Sequence, residues 1–269
     1  VAAAGLFATA PALTQLLDAR AGTAGTLTLR CVVTVVAAVV FGRPRRGELR
    51  QLLAPGLAIT VGYYGATTIG YAIAPASVAS LSLAAEPLVL SALLPLRAQP
   101  RRAVPVAVLA GSSMVLGSGA SMHLANRDAV GIGVVALGAF AFVIGARALP
   151  RPGGALDAVR IAARAQALGA VALLLVLVLV RHAAVTSNPL SWLAMAGLVA
   201  GSSLVGIGLF TVATHGAPLI AAASLALTQP LASLLATLVL HDPFPPAVVV
   251  GSALGAAAVL LAVWPTNPR

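Results

Sequence analysis

Long apolar runs dominate this chain, and its polar positions fall in short clusters between them. A helix that crosses a bilayer needs about 20 predominantly apolar residues. Cutting the sequence at its arginines, prolines and polar clusters leaves ten runs of that order. They cover residues 1–17, 25–42, 51–74, 77–96, 103–122, 129–149, 160–181, 190–214, 217–240 and 246–264. The first run has no basic stretch before it and continues into further apolar segments, so it reads as a retained helix. The break between the third and fourth rests on the turn at Ala74, Pro75, Ala76 and Ser77. The pattern predicts an all-α integral membrane protein that passes the cell membrane many times.

Composition strengthens that expectation. Hydrophobic residues make up 60% of the chain and charged residues 8%, whereas a soluble domain is about a quarter charged. So few charges could not cover a water-soluble surface, but a bilayer removes the need for one. All 16 basic residues are arginine and the net charge is +10. They sit in the gaps between apolar runs, which suits loops facing anionic headgroups and argues against nucleic acid as a partner. The lone cysteine, Cys31, lies inside an apolar run and reads as a small packed hydrophobe.

Arginine placement also orients the chain. With the N-terminus in the cytoplasm and strict alternation, Arg43, Arg45, Arg46, Arg50, Arg97, Arg101, Arg102, Arg147, Arg151, Arg160, Arg164 and Arg269 fall inside. Only Arg20, Arg127 and Arg181 fall outside, and Arg30 lies within the second helix. A wrong helix count would scramble this bias, so ten helices with both termini cytoplasmic is the expected topology.

Within that topology the chain matches itself. Ala74-Pro75 pairs with Ala217-Pro218, Glu86-Pro87-Leu88 with Gln229-Pro230-Leu231, and Gly65 with Gly208, each 143 residues apart. The predicted units are residues 1–124 and 125–269, each of five helices, so the second is inverted relative to the first. These features resemble the EamA-type transporters of the drug/metabolite transporter superfamily over essentially the whole chain. Leu29-Arg30 opening the second helix, Ala74-Pro75-Ala76-Ser77, Leu83-Ala84-Ala85-Glu86-Pro87-Leu88, Leu227-Thr228-Gln229-Pro230-Leu231 and Gly251-Ser252-Ala253-Leu254-Gly255 carry the resemblance. The Gly-Glu pair that the family often carries after its fourth and ninth helices is absent. Leu96-Arg97-Ala98-Gln99-Pro100 and Leu240-His241-Asp242-Pro243 stand in those places. The resemblance implies ten helices, two inverted repeats and a central cavity among helices three, four, eight and nine.

Glu86 is the leading candidate for chemistry. It sits near the middle of the fourth run, where an acid costs about 2.5–3.5 kcal/mol on insertion scales, so it is expected to face the bundle interior. It either binds a substrate cation or carries a coupling proton, or else it only hydrogen-bonds a neighbouring helix. Pro87 and Pro230 each leave a carbonyl one turn earlier without its donor. That favours a cavity-facing place, or merely shapes a kink. Tyr63, Tyr64 and Tyr71 are all the tyrosines, all in the third run, and are candidate cavity walls or ordinary packing. Thr228 and Gln229 lie at the position matching Glu86 and are candidates for substrate contact or inter-helix bonding. Arg30 is expected to snorkel to the headgroups, with attraction of anionic substrate groups as the alternative. His123, His182, His215 and His241 fall at segment ends with no metal-site spacing. Gly197/Gly201 and Gly251/Gly255 signal close helix approach.

No P-loop is present, so transport would draw on an ion or substrate gradient. The expected function is a secondary-active transporter, not an enzyme, working by alternating access. Export of a small polar or amphipathic metabolite, amino-acid-like or drug-like, comes from the resemblance. Its expected partners are that small-molecule substrate, the lipid bilayer, and a coupling proton or ion. No cofactor or metal is expected. A polytopic membrane enzyme acting on a lipid-soluble substrate is the alternative, and a structural membrane subunit the third reading.

Overall fold

The computed structural model describes residues 2–41, 47–74, 100–117, 126–240 and 246–264, together with Leu83, Glu86 and Leu90. The described residues are helical, with short turns and no strand among them. The helices are α1 (Ala2–Phe41), α2 (Leu49–Ile73), α3 (Pro100–Gly117), α4 (Asn126–Ala148), α5 (Ala155–Leu179), α6 (Pro189–Gly216), α7 (Pro218–Leu225), α8 (Thr228–Leu240) and α9 (Ala247–Val263). Among them α1, α2, α4, α5 and α6 are long and apolar enough to cross a membrane.

Burial is inverted relative to a soluble protein. Leu137, Leu179, Leu193 and Val40 are each more than 70% exposed, while Arg30, Glu86, Gln166 and Gln229 are at most 4% exposed. In water that arrangement would leave large apolar patches and costly buried polar groups. In lipid it is the expected one, because the exterior solvent is itself apolar.

The sequence pattern places a gap at residues 18–24, and α1 reduces it to one residue. Gly22 alone leaves helical geometry, at φ 70° and ψ 166°. A side chain there would be strained, so glycine is the residue that allows the break. The Thr23 hydroxyl donates to Asp18 across it, at 3.3 Å. A smaller irregularity at Thr9 precedes Pro11, whose ring cannot continue the helical ladder. The Thr9 hydroxyl donates instead to the Leu6 carbonyl at 2.7 Å. The start of α6 is set by Asn188-Pro189, with the Asn188 side chain accepting from Leu190 N–H at 3.0 Å.

Among the described residues, two helices contain a π-helical stretch of eight residues, Ala58–Gly65 in α2 and Val199–Gly206 in α6. Such segments are rare and concentrate at functional sites. Ala2–Ala8 packs on the α6 segment, and α4 packs on the α2 segment. Elsewhere α1 pairs with α5 through Leu27, Cys31, Ala170 and Leu173, and α3 pairs with α9.

Close approach falls at other glycines than expected. Gly131, Gly138 and Gly145 recur every seventh residue along α4, with Ala66 and Ala58 of α2, and Ala74 just after it, against them. The Gly56 carbonyl abuts Gly169 of α5, backbone on backbone. Gly255 lies against Ser113 and Leu227, as the pattern in α9 suggests. Gly197 meets open space, and of the Gly197/Gly201 pair only Gly201 lies against another helix, at the Leu6 side chain of α1.

Candidate functional site

One interior cavity gathers the polar groups of several helices. Its volume is about 20 Å³, enough for roughly one water molecule. Phe7, Ala10, Pro11 and Thr14 line it from the first arm of α1, and Arg30 from the arm after Gly22. Helix α2 contributes Tyr63, Tyr64, Thr67 and Tyr71. The remaining wall is Leu83, Glu86, Phe142 of α4, Ser202 of α6 and Thr228 of α8.

Glu86 is 4% exposed, and its Oε1 has no hydrogen-bond partner among the described residues. It lines the same cavity as Tyr63 and Tyr71. Thr228 Oγ1, at another point of the wall, also lacks a partner among the described residues. Each is an unmade bond beside the cavity, and leaving it unmet costs about 1–3 kcal/mol.

Arg30 departs from the snorkelling expectation. It is 4% exposed, with its guanidinium carbon 3.4 Å from the centroid of the Tyr64 ring. Its Nη2 donates to Ser203 Oγ at 2.9 Å, and its Nε has no partner among the described residues. A neighbouring ring face and a hydroxyl from α6 give the cation an inward place that a single-helix reading cannot supply. No ion pair joins Arg30 to Glu86, although both line the cavity with Tyr63 and Tyr71.

Gln166 ties the two π segments together, a role that sequence reading missed. Thr60 of the α2 segment donates to the Gln166 carbonyl at 3.1 Å. The Gln166 side chain donates to the Ser203 carbonyl of the α6 segment at 2.8 Å. Since π geometry disturbs the regular ladder, carbonyls there can take outside donors. Nothing in the local sequence of α5 marks Gln166 except a lone amide in an apolar run.

An aromatic cluster closes another wall. The Phe142 ring stacks on Phe210 at 5.3 Å between centroids, Phe7 meets both edge-on, and Tyr63 tilts onto Phe142 at 4.8 Å. These residues come from α1, α2, α4 and α6, so a relative movement of those helices must break aromatic contacts.

Of the sequence candidates, Glu86, Tyr63, Tyr64, Tyr71 and Thr228 line the cavity. Gln229 and Pro230 do not. Helix α8 begins just before Pro230, whose missing N–H leaves the Ala226 carbonyl free, and Ser113 Oγ of α3 takes that carbonyl at 2.8 Å. The vacated group is thus satisfied by protein away from the cavity. Pro87 lies outside the described residues. So do His123 and His241, while His182 and His215 each bond a carbonyl of their own segment. No cluster of three or more metal-ligating side chains occurs among the described residues.

No family model matches the chain, and no curated protein matches it. Among solved structures it is similar to one described only as a protein crystal structure. The likeness covers 97% of this chain and 96% of that one, at 20% identity and a TM-score of 0.67. At that identity the likeness shows a shared fold over nearly the full length of both chains and nothing about activity.

Proposed function

We propose that this chain is a secondary-active transporter of ten membrane helices, arranged as two inverted five-helix repeats, with both termini cytoplasmic. It moves a small polar or amphipathic molecule, in the export direction by resemblance to EamA-type transporters, through alternating exposure of the cavity that holds Glu86. The units are residues 1–124 and 125–269. Glu86 carries the reading: a carboxyl buried deep in a lipid-facing bundle, in a cavity whose walls come from both units. Intramembrane acids of this kind mark substrate or ion pathways.

Several packing features support the repeat. Exchange the two units and the pattern of contacts returns: the opening helix of each unit lies on the π segment of the other. The two π segments are 141 residues apart, close to the 143-residue spacing of the sequence matches. The second and seventh proposed spans pair with each other, as do the fifth and tenth, as expected for elements flanking a pseudo-two-fold axis. Contacts of residues near the ends of the proposed spans fit the sidedness. Arg164 pairs with Glu48 at 3.1 Å and Arg102 donates to the Trp264 carbonyl, all four belonging to the proposed cytoplasmic side. Ala184 N–H donates to Thr28 Oγ1 on the opposite side.

Proteoliposome flux tests this function. Labelled amino acids and small organic cations are offered with and without an imposed pH gradient, to the wild type and to Glu86→Gln. Gradient-dependent flux that a well-folded Glu86→Gln protein loses is the expected result. Equal flux in both proteins would remove Glu86 from the mechanism, and no flux with any compound would overturn the transport reading.

A further inference from the structure

We infer that Arg30, held by Ser203 and Tyr64, is an anion-recognition subsite of the transport cavity and selects substrates that carry a carboxylate. The inference rests on the transporter reading but adds to it a substrate chemistry that Glu86 alone does not imply.

Arg30 is a permanent cation in an apolar interior. A guanidinium so placed is ordinarily paired with an acid, because burying an unpaired charge is costly. Here no acid within ion-pair distance faces it among the described residues. Its compensation is the face of the Tyr64 ring and one hydroxyl, Ser203 Oγ. Neither carries a formal negative charge, and Nε–H remains unmade. Arg30 nevertheless belongs to the cavity wall, which puts it beside any molecule bound there.

The geometry selects the kind of anion. Adjacent Nε–H and Nη2–H donors lie along one edge of the planar guanidinium, the edge that a planar carboxylate takes with two parallel hydrogen bonds. Ser203 engages one donor of Nη2, while the buried Nε–H of this cavity-lining residue has no partner among the described residues and is the donor a ligand would take. Stacking on Tyr64 restrains the plane from the other direction. Gln166 in turn holds the Ser203 backbone, so the subsite is braced by the contact that joins the two π segments. A carboxylate on Arg30 supplies the missing negative charge, and its transfer out of water is repaid by the paired bonds.

The test is a thermal-protection assay on the purified full chain in detergent. Matched probes differ only at the carboxyl group: leucine against leucinamide, phenylalanine against phenylalaninamide, and benzoate against benzamide. The expected result is protection by at least one carboxylate at concentrations where its amide gives none. Arg30→Gln is expected to lower the apparent affinity for that carboxylate by roughly tenfold or more, which abolishes the preference over the amide. Arg30→Lys, which keeps the charge and loses the fork, should recover part of it. Ser203→Ala retains the cation, keeps the inference testable if Arg30→Gln fails to fold, and should weaken the preference several-fold. Three outcomes would overturn the subsite: equal protection by each acid and its amide, no protection by any carboxylate, or an unchanged preference in a folded Arg30→Gln or Ser203→Ala protein. Gradient-driven flux of organic cations alongside any of these would leave the transporter reading standing while the subsite falls.

Discussion

A residue in this chain is informative mostly through what it opposes. Glu86 and Arg30 are both nearly completely buried, yet neither neutralises the other, and each keeps an unmade polar group beside the same cavity. The Gln166 amide N–H and the Ser113 hydroxyl do the contrary: both donors are spent on backbone carbonyls of other segments, although Gln166 Oε1 has no partner among the described residues. Ser113 Oγ lies within bonding distance of both the Ala226 and Gly251 carbonyls, sharing its single proton between α8's approach and α9. Ser113→Ala is therefore expected to lower stability by about 0.5–1.5 kcal/mol, in the range of hydrogen bonds between membrane helices, without removing flux. Thermal unfolding in detergent beside a flux assay checks both halves of that expectation. Gln166→Leu keeps the volume and loses the bond to Ser203, and we expect it to cost both stability and flux, since Ser203 also holds Arg30. Flux at wild-type level in that variant would sever the link between the brace and the cavity. Glu86 was legible in the sequence because an acid in an apolar run has no cheap outward place. Arg30 was not, because a long cationic side chain near a helix end has one, and only the Tyr64 face and Ser203 draw it inward.

At the scale of elements, breaks matter as much as helices. The turn at Gly22 turns a 40-residue helical stretch into two arms that line one cavity from two places. Gly22→Ala places a side chain at φ 70°, and about 1 kcal/mol of destabilisation is expected. Gly56 and Gly169 leave no room for even a methyl group between α2 and α5. Gly169→Leu should therefore prevent assembly and show as loss of the monodisperse peak in size-exclusion chromatography, whereas Gly197→Leu, facing open space, should leave that profile unchanged. Apolar run length located most helices within a few residues, since the length is dictated by bilayer thickness. The π segments were illegible, because Ala58–Gly65 and Val199–Gly206 have no composition that separates them from ordinary apolar helix. Each lies against a helix from a distant part of the chain, which no local pattern encodes.

For the whole molecule, the proposed topology makes a sidedness prediction. In a Cys31→Ala background, a cysteine at Gly153 should resist a membrane-impermeant maleimide applied to intact cells, and one at Val185 should react. Both positions are exposed at their loops, so access and not burial decides the result. Labelling of Gly153 from outside, or none at Val185, would reverse the orientation drawn from the arginines. The cavity of about 20 Å³ is too small for an organic substrate, so the proposed transport would require the helices around it to separate. The Phe7, Phe142 and Phe210 cluster joins three of those helices and is the contact such a movement must break. Phe210→Ala is expected to destabilise by about 3–5 kcal/mol on unfolding. It should also raise the exposure of the cavity to a polar alkylating reagent, read at a cysteine replacing Thr67.

The sequence by itself determined that the chain is helical and apolar on the outside, because length, run pattern and scarcity of charge leave no other way to satisfy its backbone and surface. It also marked Glu86 and the three tyrosines as residues worth following, since each is a polar group in an apolar stretch. Only the tertiary structure decided which polar groups meet. It turned Arg30 inward, sent the carbonyl freed by Pro230 to Ser113 instead of the cavity, and joined the π segments through Gln166. A side chain's partner in a membrane bundle lies on another helix, often more than a hundred residues away, and no local pattern encodes that distance.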